Sequence, residues 1–134
     1  MTLIDPVVLT VEVLKAAGHA DVNSDRIEAR ALSSQEYIFV QEQTGRIPHI
    51  KYSDRPSISL ILYSNEGFNA ARQRMYTVLE ELQAAQGQAF ESGGIHRVIT
   101  VLRPGRSDVA GLPQGVGRVS AQADLILSNR EKWS

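Results

Sequence analysis

The feature that most constrains this chain is a strict alternation of residue types near its C-terminal end. Within Gly115–Ser128, small or apolar residues occupy every second position from Gly117 onward, and polar residues fill most positions between them. A period of two predicts a β-strand with one buried side and one solvated side. Ala121 and Ala123, at the middle of the buried side, leave room for a helix to lie close. We therefore predict a core formed by a helix packed on one face of a sheet.

The other side of this strand carries Arg118, Gln122 and Asp124. No neighbouring residues in the sequence suggest that these polar groups take part in catalysis. We interpret them as a solvated or partner-facing surface.

Length and composition limit the kinds of protein that this chain can be. Its 134 residues suit one domain, because a chain of this size buries roughly two-thirds of its unfolded surface. The 14 basic and 15 acidic residues nearly cancel, which argues against binding a polyanion or an anionic membrane through bulk charge. Cysteine is absent, so there is no disulfide framework and no thiolate nucleophile. Without a long apolar run or a signal-peptide pattern, we expect a soluble cytoplasmic protein.

Two segments show helical patterns. Asp5 can cap free backbone N–H groups, Pro suits the first helical position and Gly18 is a stop signal, which together predict a helix over Pro6–Ala17. A buried strand is the alternative there, because the segment is rich in β-branched residues. From Phe68 onward, apolar residues recur at three- and four-residue spacing, which predicts an amphipathic helix of about 16 to 18 residues ending near Gly87.

Other apolar runs predict strands. Ser57–Ser64, which follows Pro56, is the best candidate for a central strand, and Arg26–Leu32 and Ile95–Leu102 are further candidates. The last two strands of the chain should be antiparallel neighbours. The order of elements predicts a single α+β domain over residues 1–134, with a mixed or antiparallel sheet of about four or more strands and two helices packed on one face.

The polar segment Ser33–Arg55 has two interpretations. Two β-prone patches, Tyr37–Val40 and Ile47–Tyr52, flank a turn at Gly45, which is typical of a β-hairpin arm. A long segment of this kind is uncommon unless it has a function, so we assign it to contacts with a partner or a neighbouring subunit. A disordered or meandering loop is the alternative. The candidate contact residues here are Tyr37, Phe39, Arg46, His49, Lys51, Tyr52 and Arg55.

The turn-rich segment Arg103–Gly115 is predicted to be a loop joining the last two strands. Its charged residues, Arg103, Arg106 and Asp108, form a second candidate contact, and a solvated loop is the alternative. The tail from residue 129 to 134 is polar except for Trp133, which could dock on a partner or fray.

No residue pattern predicts catalysis or a cofactor. His19, His49 and His96 lie far apart without paired carboxylate spacing, so we expect no metal site and interpret each as a surface or strand residue. No G-x-S-x-G elbow frames a serine nucleophile, and the glycine-rich stretch before the last strand matches no phosphate-binding motif. We predict a protein that is not an enzyme and has no catalytic residues and no cofactor.

Six stretches, spaced over most of the chain, form a series: LIDPVVLTVEVLK, DRIEARAL, DRPSISLILYS, NAARQRMYTVLEEL, RVITVLRPG and GRVSAQADLIL. In their order and residue pattern they resemble the tail terminator proteins of long-tailed (siphovirus-type) bacteriophages. The resemblance implies an α+β fold and a homohexameric ring that caps the tail tube and stops its polymerisation. It also implies a surface for the head-completion protein, a place at the head–tail junction of the virion after assembly in the host cytoplasm, and no catalytic residues.

The physics of the chain fits this resemblance. A ring subunit makes heterologous contacts between two different patches, and the two candidate contact segments could supply them. The small net charge suits a ring through which DNA passes without specific binding. There are three alternatives: another head-to-tail connector or neck protein, an unrecognised hydrolase, and a small-ligand or nucleic-acid-binding α+β module. A single-stranded nucleic acid would use Tyr37 and Phe39 as an aromatic platform beside the basic residues Arg46, His49, Lys51 and Arg55.

Overall fold

A computed structural model describes residues 5–24, 35–42, 53–54, 56–106 and 115–128. For residues 53, 54, 100–104, 106 and 128 the description covers the backbone only.

The described residues contribute seven strands to one mixed sheet. Across the sheet the order is β1-β2-β4-β7-β6-β5, with β3 paired to the end of β7 in line with β4. Only β1 and β2 run parallel, and every other described pair is antiparallel. The strands are β1 (Val22–Asn23), β2 (Tyr37–Glu42), β3 (Ser53–Asp54), β4 (Ser57–Ser64), β5 (Ala89–Phe90), β6 (Gly93–Arg106) and β7 (Gly117–Ser128).

Helix α1 (Pro6–Ala16) has defined ends. The Asp5 carboxylate accepts hydrogen bonds from the backbone N–H groups of Val7 at 2.9 Å and Val8 at 3.3 Å, which satisfies two donors that the helix leaves open. Gly18 follows with a φ of 109°, a left-handed conformation that ends a helix at little steric cost. The segment is therefore the predicted helix and not a strand, and its buried residues hold it against the sheet: Pro6, Leu9, Thr10, Val13 and Leu14.

Helix α2 (Phe68–Ala84) also follows its sequence pattern. The apolar stripe faces the sheet, as the helical spacing predicts, and Gly87 lies just beyond the end with a φ of 81°. The buried residues of the stripe are Ala71, Met75, Val78, Leu79 and Leu82.

Both helices pack on the same face of the sheet, which confirms the predicted α+β architecture. Strand β7 lies at the middle of this core, between β4 and β6. Its alternating residues from Val119 to Leu127 are buried in one cluster with the stripe of α2, and the exposed fractions of Ala121 and Ala123 are 1% and 0%. Strand β4 is central as well, since it pairs with β2 on one side and β7 on the other.

The patch Tyr37–Val40 is not part of a separate arm, so the hairpin interpretation was wrong for these residues. It lies in β2 and pairs with β4 from Tyr37 opposite Tyr63 onward. Ile38 and Val40 are fully buried under the helices, and an arm projecting from the domain would not provide that burial. The second patch, Ile47–Tyr52, lies outside the described residues.

The first part of the predicted loop Arg103–Gly115 is strand. β6 continues to Arg106, with Gly105 opposite Ser120 on β7. The ladder shifts register between Leu102 and Gly105, where Pro104 lies, because proline has no N–H to donate and is tolerated in a strand only at irregular or edge positions. The two last strands are antiparallel neighbours, as predicted.

Three short strands, β1, β3 and β5, were not predicted. Each has two residues, which is too short for a period of two to be recognised in a sequence. The predicted strand Arg26–Leu32 and the tail with Trp133 lie outside the described residues. No described helix has the length and apolar character needed to span a membrane.

A close backbone contact fixes the start of β7 against the start of α2. A Cβ atom added at Gly117 would lie 2.5 Å from the carbonyl carbon and oxygen of Gly67 and 2.6 Å from the Cα of Phe68. These are backbone atoms, so they could not move aside as a flexible side chain would. The position therefore requires glycine for reasons of space.

We predict that Gly117→Ala lowers the free energy of unfolding by about 1–3 kcal/mol, because the added methyl group forces the strand and the helix start apart. Ser120→Ala on the outward side of the same strand is the matched control and should change it by less than about 0.5 kcal/mol. Urea denaturation followed by circular dichroism measures both. Equal effects of the two substitutions would contradict the proposed contact.

Candidate interaction surfaces

The structure describes only some of the candidate contact residues. Arg103 and Arg106 lie in β6, where the structure describes their backbone atoms but not their side chains. Five side chains are described: Tyr37, Phe39, Arg118, Gln122 and Asp124. The others lie outside the described residues: Arg46, His49, Lys51, Tyr52, Arg55 and Asp108.

The five described side chains share one face of the sheet, the one opposite the helices, which we call the outer face. Residues directly opposite one another in neighbouring strands point to the same side. Tyr63 on β4 lies opposite both Tyr37 on β2 and Arg118 on β7, and Asp124 lies opposite Ser57. The fold thus brings together residues that are more than 80 positions apart in the sequence.

One end of the outer face is an aromatic cluster. The rings of Tyr37 and Tyr63 meet edge to face, with centroids 6.2 Å apart and an interplanar angle of 65°. Ile61 is buried with them, and Phe39 and Val116 pack against the cluster while staying partly exposed. Tyr37 is fully buried, so its assignment to a contact surface needs correction: its ring stabilises the outer face from within and is closed to a partner or a stacked base.

The polar residues beside this cluster are held in place. The guanidinium carbon of Arg118 lies 5.7 Å from the ring centroid of Tyr63, and the Arg118 Nε–H donates a hydrogen bond to the Tyr63 hydroxyl at 3.1 Å. Asp124 accepts a hydrogen bond from the hydroxyl of Ser57. Arg118 and Asp124 are half-buried, and these hydrogen bonds hold their charged groups in fixed positions on the outer face.

The far end of the outer face has an exposed apolar residue. Ile99 on β6 lies opposite Asp124, and 44% of its surface is exposed. Gln122 lies next along β7 on the same side and is half-buried. Ser57, Ile61 and Tyr63 on β4 are buried, so the exposed part of the described outer face lies mainly on β6 and β7, where polar and apolar side chains are mixed.

Sequence reasoning missed a second polar feature, a charge network around His19. The two ring nitrogens of His19 contact the carboxylates of Glu36 and Glu81. Arg74 on α2 bonds to Glu36 at 3.4 Å and to Glu66 at 2.6 Å. Glu36 and Glu81 are 17 and 62 positions from His19, so no local spacing could have shown the cluster. An open depression of about 570 Å³ is lined by four members of this network and by neighbouring residues: His19, Glu36, Arg74, Glu81, Gly18, Asp21 and Gln35.

The geometry of His19 favours the doubly protonated imidazolium. Each ring nitrogen faces a carboxylate, which only accepts hydrogen bonds, so both nitrogens must carry a proton. Burial of the side chain, which is 11% exposed, would lower the pKa of His19, but the hydrogen bonds and charges of Glu36 and Glu81 outweigh it and raise the pKa above the usual 6.5. The network ties the end of α1 to the start of β2 and to α2. Among the described residues, no cluster of side chains is suited to holding a metal ion.

We predict that His19 stabilises the fold in a pH-dependent way. A raised pKa in the folded state means that its contribution is complete below about pH 6.5, the ordinary value, and is lost as the pH rises through the raised pKa. His19→Gln should lower the free energy of unfolding by about 1.5–3 kcal/mol at pH 6, because charged hydrogen bonds are lost. The same substitution should lower the free energy of unfolding by a smaller amount at pH 9. Urea titrations from pH 6 to 9 measure this.

The control is His96→Gln, since His96 is exposed on β6. That variant should keep the pH dependence of the unmodified protein. If His19→Gln also kept it, the charge network would not exist in solution.

Comparison with known proteins finds a similar fold among solved structures. No protein-family model matches this chain, and no curated protein matches it. Among solved structures it is similar to a chain in the structure titled "Virion of native gene transfer agent (GTA) particle", with a TM-score of 0.58 and 12% sequence identity. The similarity covers 92% of this chain and 92% of that chain. At this identity the comparison shows that the two chains share a fold.

Proposed function

We infer that this protein is a non-enzymatic structural protein of a phage-type virion. The observation that carries this inference is the fold likeness to a chain of the gene transfer agent virion, which extends over 92% of both chains. One fold can serve many functions, so a fold likeness needs independent support. The resemblance of the sequence elements to tail terminator proteins supplies it, because it rests on residue order and not on coordinates.

Within the virion we propose the role of tail terminator. In this role the protein forms a ring, a homohexamer, on the tip of the tail tube and stops the addition of further tube subunits. The ring then offers a surface to the head-completion protein at the head–tail junction. DNA passes through the ring without specific binding, and assembly takes place in the host cytoplasm.

The distribution of surfaces supports an assembly role. A closed ring needs two different patches on each subunit, and further patches are needed for the tube and the head side. Among the described residues, the two helices cover one face of the sheet, and the exposed part of the outer face on β6 and β7, together with the sheet edges, can supply such contacts. On the outer face, Arg118 and Asp124 are already held by Tyr63 and Ser57, so binding would order few additional side chains.

We predict that the purified protein forms a species of six chains and that this species limits tube growth. The tail-tube protein encoded by the same genome is polymerised with and without it, and tube lengths are measured by negative-stain electron microscopy. With the protein present, tubes should stop growing and show added density at one tip. Tubes assembled alone are the control.

Two outcomes would contradict this function. Tubes that grow equally long and lack tip density would exclude a terminator, even if a ring forms. A ring that binds only the head-completion protein would instead indicate a neighbouring connector. Oligonucleotides are the third arm of the experiment: saturable binding, followed by tyrosine and tryptophan fluorescence, would support the nucleic-acid-binding alternative.

A further inference from the structure

Within the described residues, β5 covers only the start of the outer edge of β6. β6 extends over 14 residues from Gly93 to Arg106, but β5 pairs only with Gly93 and Gly94. No other described strand lies on that side of β6. An unpaired strand edge presents a row of backbone N–H and C=O groups that can accept another strand.

The chain covers the first part of this edge by itself. The N–H of Gly87 donates to the carbonyl of Ile95 at 2.8 Å, and the side-chain oxygen of Gln86 accepts from the N–H of Val98 at 2.7 Å. Val98, Ile99 and Thr100 pair with β7 in regular register. Since backbone groups alternate in direction along an antiparallel strand, the N–H and C=O of Thr100 point outward, as those of Val98 do. Within the described residues, the uncovered edge therefore begins at Thr100.

The uncovered edge is also limited at its far end. The ladder with β7 shifts register between Thr100 and Leu102 and again between Leu102 and Gly105, and Pro104 in the second shift has no N–H. Irregularities and prolines of this kind restrict unwanted strand pairing. Exposed residues lie on both sides of the open part, Arg97 and Ile99 before it and Gly105 after it. The accessible part is short and defined, which favours one specific partner strand over general aggregation.

The two ends of the sheet carry opposite charge. β6 contains Arg97, Arg103 and Arg106 and has no acidic residue. At the opposite end, the described residues 21–24 and 35–42, which include β1 and β2, contain Asp21, Glu36 and Glu42 and no lysine or arginine. The Glu36 carboxylate is already bonded to His19 and Arg74, so Asp21 and Glu42 supply most of the acidic character of this end. β1 pairs only with Ile38 and Phe39 of β2, so the last part of β2 is not covered by β1. The two ends are complementary in charge.

We propose that a second copy of this chain adds the β1–β2 end of its sheet to the open edge of β6. Two different surfaces meet in this contact, so it is heterologous and can close into a ring. The basic strand of one subunit then faces the acidic end of the next, which fixes the direction of assembly. This inference rests on the proposed ring and names the surface that would build it.

The direct test is Thr100→Pro in the full-length chain. Proline removes an outward N–H that takes no part in the ladder with β7, and it blocks the approach of another strand. We expect the variant to stay folded by circular dichroism and to raise the dissociation constant of the ring about tenfold or more in sedimentation velocity, a change of about 1.4 kcal/mol or more. Thr100→Val, which keeps the N–H, is the matched control and should assemble normally.

A second variant covers the case in which Thr100→Pro does not fold. Arg97→Glu changes an exposed side chain and should weaken assembly about tenfold or more, most strongly at low salt, whereas Arg97→Lys should leave it intact. A ring that is unaffected by Arg97→Glu, and by Thr100→Pro where that variant folds, would overturn the edge contact and leave the proposed function standing. Assembly that stops at a dimer would overturn the heterologous contact. An unmodified protein that forms no ring, even with the tube protein, would contradict the proposed function itself.

Discussion

The close packing of α2 on the small-residue side of β7 is the contact on which the rest of the structure depends. Ala121 and Ala123 bring the helix near the strand, and the contact between Gly117 and Gly67 fixes where both elements begin. β7 pairs with β3, β4 and β6, so its position sets the position of most of the sheet. Larger residues at these sites would separate the layers and weaken every pair that β7 makes.

Within the described residues, the two faces of the sheet differ. The helices take up one face, and the described outer face then carries the aromatic cluster, the fixed charges of Arg118 and Asp124, and exposed Ile99. The proposed assembly role depends on the exposed part of this face and on the strand edge at Thr100. The His19 network acts within the chain, where it holds the end of α1 to the start of β2 and to α2.

Sequence periodicity was sufficient for the long elements. Both helices, the central strand β4 and the last strand β7 follow residue patterns that depend only on the geometry of a helix or a strand. The incorrect predictions concern segments whose structure depends on which strand they pair with. Tyr37–Val40 has the composition of either an arm or a core strand, and only the partner strand β4 distinguishes them. Arg103–Arg106 contains turn residues, yet a ladder with β7 extends the strand through them.

The candidate interaction surfaces were likewise predictable from the sequence only in part. The alternation in β7 was enough to assign Arg118, Gln122 and Asp124 to a face away from the core, because a period of two separates the two sides of any strand. It could not show that Tyr37 would be buried beside Tyr63, or that Glu36 and Glu81 would meet His19. Local pattern thus determined which residues turn inward and which turn outward. Only the tertiary structure decided which outward residues meet, because contacts between distant residues depend on strand order and helix placement.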